Sequence, residues 1–297
     1  MGQHDTGDTK AGFIFAGLAY GIWGFLPLYL KLMDHMPAWE IVPHRIFWSL
    51  PIVALVVWWL GLGADVVAAL KRPRTMLLAL LTSAIISVNW GVYVWAVTQN
   101  RALETALGYY INPLFSVFLA AVLVGETLNR VQMFAIALAT VAVGVLTWEA
   151  GGLPWVSIIL TVTWGFYAYL KRTLAIGAIQ GFFLEVLILA LPALGMMLWM
   201  QHSGTAKFWG PDWRDTALLV ASSLFTAIPL MFYALGAKGL RLTTIAIMQY
   251  SAPTMIFLIA VFIFKEPFSA YKMAAFSLIW VALAIYTWSL VKAHRAA

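Results

Sequence analysis

Cysteine is absent from the 297 residues, which excludes disulfides, thiolate metal sites and thiol nucleophiles. Charge is scarce, with Asp, Glu, Lys and Arg together making up 10% of the chain. A soluble protein of this length needs far more polar surface to cover its core. The short motifs of catalysis and nucleotide use are missing too. There is no glycine-rich phosphate loop, no His-Glu-x-x-His, no Gly-x-Ser-x-Gly and no carboxylate–histidine cluster. These gaps argue against ATP drive within the chain. They leave no catalytic residue, no metal ligand set and no cofactor to expect.

What the chain has instead is apolar length. Hydrophobic residues make up 63% of it and the mean hydropathy is +0.89. Apolar runs of about 20 residues, the length that crosses a bilayer, recur from end to end. Backbone in lipid must satisfy its own hydrogen bonds, so these runs are expected to be helices. Ten spans are expected, at 11–33, 40–60, 75–97, 105–125, 131–149, 153–171, 178–200, 216–237, 243–264 and 270–291. The polar stretch 1–10 is short, and the run after it is long enough to span, so no cleavable signal peptide is expected.

The formal charge of +6 would suggest nucleic acid in a soluble chain. Here the basic residues set topology, and no nucleic-acid partner is expected. With the N-terminus inside, cytoplasmic ends hold Lys10, Lys71, Arg72, Arg74, Arg130, Lys171, Arg172, Lys238, Arg241, Lys292 and Arg295. Outer ends hold only Lys31, Arg101, Lys207, Arg214, Lys265 and Lys272. This bias predicts a multi-pass protein of the bacterial inner membrane with both termini cytoplasmic. Trp39, Trp59, Trp148, Trp155 and Trp288 sit near span ends, as an interfacial belt requires.

The chain is also duplicated. Gly108-Tyr109-Tyr110-Ile111-Asn112-Pro113 opens an apolar run that ends in Gly125-Glu126, and Tyr250-Ser251-Ala252-Pro253 opens another that ends in Lys265-Glu266. Tyr110 and Tyr250, Pro113 and Pro253, Glu126 and Glu266, and Met133 and Met273 all stand 140 apart. Trp23 and Trp164, and Pro51 and Pro192, stand 141 apart. Five spans per copy is an odd number, so the second copy enters the membrane from the opposite side. Two inverted repeats are expected, at 12–149 and 153–290, with a binding site near the midplane between them.

These features resemble the drug/metabolite transporter superfamily, EamA branch. Glu40-Ile41-Val42-Pro43-His44-Arg45, Asn89-Trp90, the 107–113 segment and the 279–285 segment resemble its RarD-type subgroup. The resemblance covers about 12–290. It implies an all-α fold of ten transmembrane helices in two five-helix repeats, a central cavity, and export of small metabolites or drugs. Activity like that of the YddG-type amino-acid exporters is the first expectation. A drug or other metabolite exporter, of the chloramphenicol-sensitivity type, is the alternative, and an integral membrane enzyme or a passive pore is a more distant one. The expected partners are membrane lipid and a small-molecule substrate, with monomer and homodimer both open.

Candidate site residues follow from polarity inside apolar spans. A charge at the centre of a lone helix costs about 2.5–3.5 kcal/mol on insertion scales, so it normally faces protein or water. Arg45, His44 beside it, and Glu185 are candidates for gating or coupling, and the register of Pro51 and Pro192 puts Arg45 beside Glu185 in repeat coordinates, at 186 against 185. Structural pairing or snorkelling is the plainer account of each. Asn89, Asn112 and Gln249 carry amides that need partners. Tyr20, Trp23, Tyr93, Tyr110, Trp164, Tyr167 and Tyr250 offer apolar area with a polar tip. Together these amides and aromatics form the candidate cavity wall, with ordinary helix packing as the alternative. Pro27, Pro113 and Pro253 each free a carbonyl one turn earlier and are candidate hinges or ammonium acceptors, or static kinks. Gly17-x-x-x-Gly21 with Gly24 is expected to let another helix approach closely.

Overall fold

Helix succeeds helix through all the residues that the computed structural model describes, 8–125 and 128–296. Glu126, the acidic end of the first duplicated unit, lies outside them. The order is α1 (Lys10–Lys31), α2 (Ala38–Trp59), α3 (Gly63–Leu70), α4 (Pro73–Thr98), α5 (Ala102–Val124), α6 (Arg130–Ala150) and α7 (Trp155–Thr173), followed by α8 (Ala178–His202), α9 (Trp213–Ala221), α10 (Leu224–Lys238), α11 (Leu242–Met248) and α12 (Ser251–Leu258). A π-helical turn, Ile259–Ile263, and α13 (Ala270–Ala296) complete the chain. Among the described residues there is no strand.

The boundaries have local causes. Pro73 opens α4, where a missing N–H costs nothing. Asn129 and Gln132 cap the start of α6 reciprocally. Gly125 and Gly151 close α5 and α6 at φ 77° and 64°, which glycine adopts without steric penalty.

Among the described residues, nine spans are long and apolar enough to cross a membrane. The tenth expected span is α7, a 19-residue helix that carries Ser157, Thr161 and Thr163. Its hydroxyls are used between helices: Ser157 donates to the Glu104 carbonyl at 2.7 Å and Thr161 to the Gly108 carbonyl at 2.9 Å, both on α5. Two spans expected as single helices are broken. The eighth parts between α9 and α10, where Ser222 and Ser223 donate to the Leu219 and Val220 carbonyls at 2.6 and 2.7 Å and compete with the backbone ladder. The ninth parts at Gln249 and Tyr250, between α11 and α12. Pro253, which has no N–H to offer the Gln249 carbonyl, therefore stands in the first turn of a new helix instead of kinking an old one. The equivalent Pro113 stays inside the unbroken α5.

Packing joins early helices to late ones. The largest interfaces pair α6 with α13, α2 with α8, α1 with α10, and α5 with α7. Close approach uses particular glycines. A Cβ on Gly236 of α10 would stand 2.7 Å from the Ala16 nitrogen of α1, and one on Gly108 of α5 would stand 2.9 Å from the Ser157 oxygen of α7. The Gly17-x-x-x-Gly21 pair does not serve this end. Open space surrounds both, and only Gly24 meets a neighbour, Met255 of α12. Because 17 and 21 share a turn-to-turn face, one outward rotation of that face exposes both.

The outside is apolar. Trp148 and Leu191 are 83% and 77% exposed, and the five expected belt tryptophans are all exposed. Such a surface is stable only against lipid.

Both ends of the bundle are tied. At one end the Glu266 carboxylate accepts from the Ala102 and Leu103 N–H groups at 2.7 and 2.9 Å, capping α5. At the same end Glu40 accepts from Lys207 and Phe208 N–H at 2.5 and 3.0 Å, and Lys31 donates to Asn100 at 2.7 Å. At the other end Asp8 accepts from the Arg241 N–H and the Thr244 hydroxyl at 2.8 and 2.7 Å. These bonds hold the Asp8 carboxyl below its ordinary range.

Candidate functional site

Ile41, Arg45 and Ser49 recur every four residues on one buried face of α2. Arg45 is 4% exposed. Its Nε donates to the Thr226 hydroxyl of α10 at 3.1 Å, which fixes the plane of the guanidinium. Ser49 donates to the Arg45 carbonyl at 2.6 Å and also faces the Ser223 carbonyl at the break before α10. Nη1 of Arg45 has no hydrogen-bond partner. No ion pair among the described residues includes it. The hydroxyls of Tyr93, Tyr109 and Tyr29 lie near enough to interact with its charge. A buried guanidinium lacking a counter-charge has lost several kcal/mol of hydration without recovering it.

Tyr93 projects from α4 one turn after Asn89 and is 4% exposed. Its hydroxyl, too, has no partner. Asn89 is fully committed. Its amide nitrogen donates to the Leu160 carbonyl at 3.2 Å and the Thr163 hydroxyl at 2.8 Å, and its oxygen accepts from Tyr109 at 3.3 Å. Asn89 therefore joins α4, α5 and α7 and has no free donor.

An aromatic file leads away from this point. Tyr93 and Tyr109 have ring centroids 5.8 Å apart, Tyr109 and Trp164 6.1 Å, and Trp164 and Tyr167 5.7 Å. The file ends at Glu185. Tyr167 donates to one carboxylate oxygen at 3.0 Å and Lys171 to the other at 2.9 Å. Glu185 is wholly buried and already paired. Arg45 and Glu185 thus have separate partners at opposite ends of one aromatic wall.

The remaining candidates fall into other groups. Tyr20 and Trp23 of α1 pack with Tyr233 of α10 at centroid distances of 5.9 to 6.0 Å. Tyr110 turns toward α12 and α13. It shares a 2.7 Å hydrogen bond with Thr254 and meets the edges of Phe276 and Trp280. Tyr250 is half-buried within reach of Thr287 on α13, and Gln249 is half-buried in the break before it. Asn112 is buried with its side-chain oxygen unpartnered. His44 accepts from the Trp48 indole at 3.2 Å and lies 4.4 Å from the Phe208 ring. Pro27 and Pro113 are buried inside continuous helices.

Sequence reasoning missed Thr226, which orients Arg45, and Lys171, which neutralises Glu185. Tyr169-Leu170-Lys171, which follows Trp164-Gly165-Phe166 as Tyr29-Leu30-Lys31 follows Trp23-Gly24-Phe25, was the available signal for Lys171. It also missed the role of Glu40, whose bonds to 207–208 seat Phe208 over His44. A lateral groove of about 960 Å³ opens beside this loop, lined by Trp48, Pro51, Trp209, Trp213 and Leu224 among others.

Comparison with known proteins adds a second line. The profile of the EamA-like transporter family matches residues 10–148. The chain is 39% identical over 293 residues to the Bacillus subtilis (strain 168) protein named Uncharacterized transporter YojE, covering 97% of each. It is 37% identical over 288 residues to Protein RarD of Streptomyces exfoliatus, covering 97% of this chain and 91% of that one. A solved crystal structure superposes at a TM-score of 0.60 and 20% identity, covering 92% of this chain and 96% of the other, which shows the shared fold.

Proposed function

Because this chain belongs to the EamA-like transporter family of the drug/metabolite transporter superfamily, we propose that it exports small metabolites, amino acids first, by alternating access across the bacterial inner membrane. The chain is a multi-pass membrane transporter; export, the amino-acid substrate and the mechanism are the proposed part.

One observation carries the reading. Five polar contacts inside the bundle join residues before 150 to residues after 153. Arg45 meets Thr226, Ser49 meets Ser223, Asn89 meets Thr163, Tyr110 meets Thr254 and Thr161 meets Gly108. Two inverted repeats, 12–149 and 153–290, would have their mutual surface there. Polar groups on a sliding surface can exchange partners, whereas an apolar seam offers a solute nothing to hold. The break at Ser222–Ser223 lies on the same surface, and it and the break at Gln249–Tyr250 would give the second repeat points at which to bend.

The bias of basic residues supports an orientation with Lys10, Lys171, Lys238 and both termini inside. A C-terminal reporter active only in the periplasm would overturn that assignment. The function is tested by counterflow in sealed proteoliposomes. Purified protein is expected to exchange several neutral amino acids, aromatic and sulfur-containing ones among them, without altering them. Exchange of chloramphenicol or another metabolite with no amino acid moved would make this a drug or metabolite exporter. Chemical conversion of a solute would make it an enzyme.

A further inference from the structure

We propose that Arg45 and Tyr93 form a carboxylate-binding pole, and that the ligands of this site are monocarboxylates whose recognition does not need an α-ammonium group. This deepens the transport reading and rests on it for the site's purpose.

The two free donors inside this cluster are the Arg45 Nη1 and the Tyr93 hydroxyl, both on side chains 4% exposed. Four neighbouring polar groups are occupied. Arg45 Nε is held by Thr226, Tyr109 donates to Asn89, and Asn89 has spent both hydrogens on Leu160 and Thr163. Tyr29 donates to the Leu218 carbonyl at 2.5 Å. A guanidinium held through its Nε, with a phenol within range of its charge, can meet the two oxygens of a carboxylate. Such a ligand supplies the missing counter-charge. A neutral solute would leave the charge buried and unpaired, which is the costlier state.

The opposite pole is closed. Glu185, the buried carboxylate at the far end of the aromatic file, is bonded to Lys171 and Tyr167. Two further ring-to-ring steps, each about 6 Å, separate Tyr109 from Tyr167, so an α-amino group beside a carboxylate at Arg45 cannot reach Glu185. Among the described residues no other carboxylate pairs with this site. The wall of Tyr93, Tyr109 and Trp164 then receives the organic remainder, and its polarisable faces accept alkyl and aryl groups alike. With one guanidinium to neutralise, a monoanion fits, and a second or third negative charge would be buried without a partner.

The test uses three probes of one shape: phenylalanine, 3-phenylpropanoate, which lacks the amine, and phenylalaninamide, which lacks the carboxylate. Binding to the purified protein in detergent is read by thermal shift. The two carboxylates are expected to bind within about tenfold of each other and the amide not to bind. Arg45→Gln is expected to weaken carboxylate binding by about a hundredfold and Tyr93→Phe by about tenfold, the cost of losing hydrogen bonds to a charged group. If Arg45→Gln fails to fold, Tyr93→Phe, which changes one oxygen, carries the test. Binding of the amide equal to that of the acids, no binding of 3-phenylpropanoate, or unchanged affinity in Tyr93→Phe would each overturn the proposal. Counterflow of the same probes separates this result from the transport reading. Binding without movement refutes export and leaves the pole standing. Movement of the amide as fast as the acids refutes the pole and leaves export standing.

Discussion

Glu266 accepts both N–H groups at the start of α5 from 163 and 164 residues away, so one side chain does the work of a helix cap and of a long-range tie. Removing such a cap costs about 0.5–2 kcal/mol, and Glu266→Ala is expected to lose that much in thermal unfolding. Its pH dependence has a definite sign. Burial raises the carboxyl above its ordinary value of 4.5; the two N–H bonds and Lys272 pull it back down, and Glu104 pushes it up. A raised value means that the folded state holds the proton more tightly than the unfolded state. The associated stability is present below the ordinary value and is lost as pH rises through the raised one. The melting temperature of the wild type relative to Glu266→Gln is therefore expected to fall as pH rises above 4.5. A difference that stays flat, or that grows with pH, would show that the bonds outweigh the burial. Glu185 is the other carboxylate to watch. Glu185→Gln keeps the Tyr167 contact and discards the charge facing Lys171. Export with an altered pH profile would mark it as a coupling group, and an unchanged profile at full rate would leave it structural.

The elements show which parts of the fold a sequence can carry. Apolar runs of membrane length, Pro73, the Asn129–Gln132 cap and the terminal glycines are local signals, and the helices they announce are present. The break at Ser222–Ser223 lay hidden because hydrophobicity runs on across it, and two serines interrupt backbone bonding without interrupting apolarity. The short α3 was hidden in a segment expected to be loop. Charge inside a span picked out Arg45 and Glu185. It could not say that one is bare and the other neutralised, since that depends on Thr226 and Lys171 from other helices. The same limit applied to Asn89, whose amide looks free in sequence and is spent in space. Loop 203–212 was legible only as a gap between two expected spans. Its seat depends on Glu40, which accepts from Lys207 and Phe208 and leaves its second carboxylate oxygen unpartnered. Glu40→Ala is expected to free this loop. Proteolysis after Lys207 should then run about tenfold or more faster than in wild type at equal folded fraction, as losing two hydrogen bonds to a charged group implies. Equal cleavage rates would mean that the Phe208 stacking on His44 holds the loop unaided.

At the scale of the whole molecule, the interfaces between early and late helices have a consequence for how the protein is made. The ribosome delivers the first 150 residues before the partners of Arg45, Asn89 and Tyr110 exist, since Thr226, Thr163 and Thr254 come later in the chain. For that interval the nascent half holds a guanidinium and the two donors of the Asn89 amide in lipid without the partners they have in the folded chain, at about 2.5–3.5 kcal/mol for the charge. The half-made protein is therefore an orphan that insertion factors must shelter, and a target for membrane proteases if synthesis stalls. Expressed alone, residues 1–152 are expected to be cleared quickly. Co-expressed with 153–297, they are expected to persist and to regain counterflow, because the fragments carry one another's missing partners. A first half that accumulates stably by itself would show that lipid and water can stand in for the second. Two fragments that each hold the other's hydrogen-bond partners are expected to mature only as a pair.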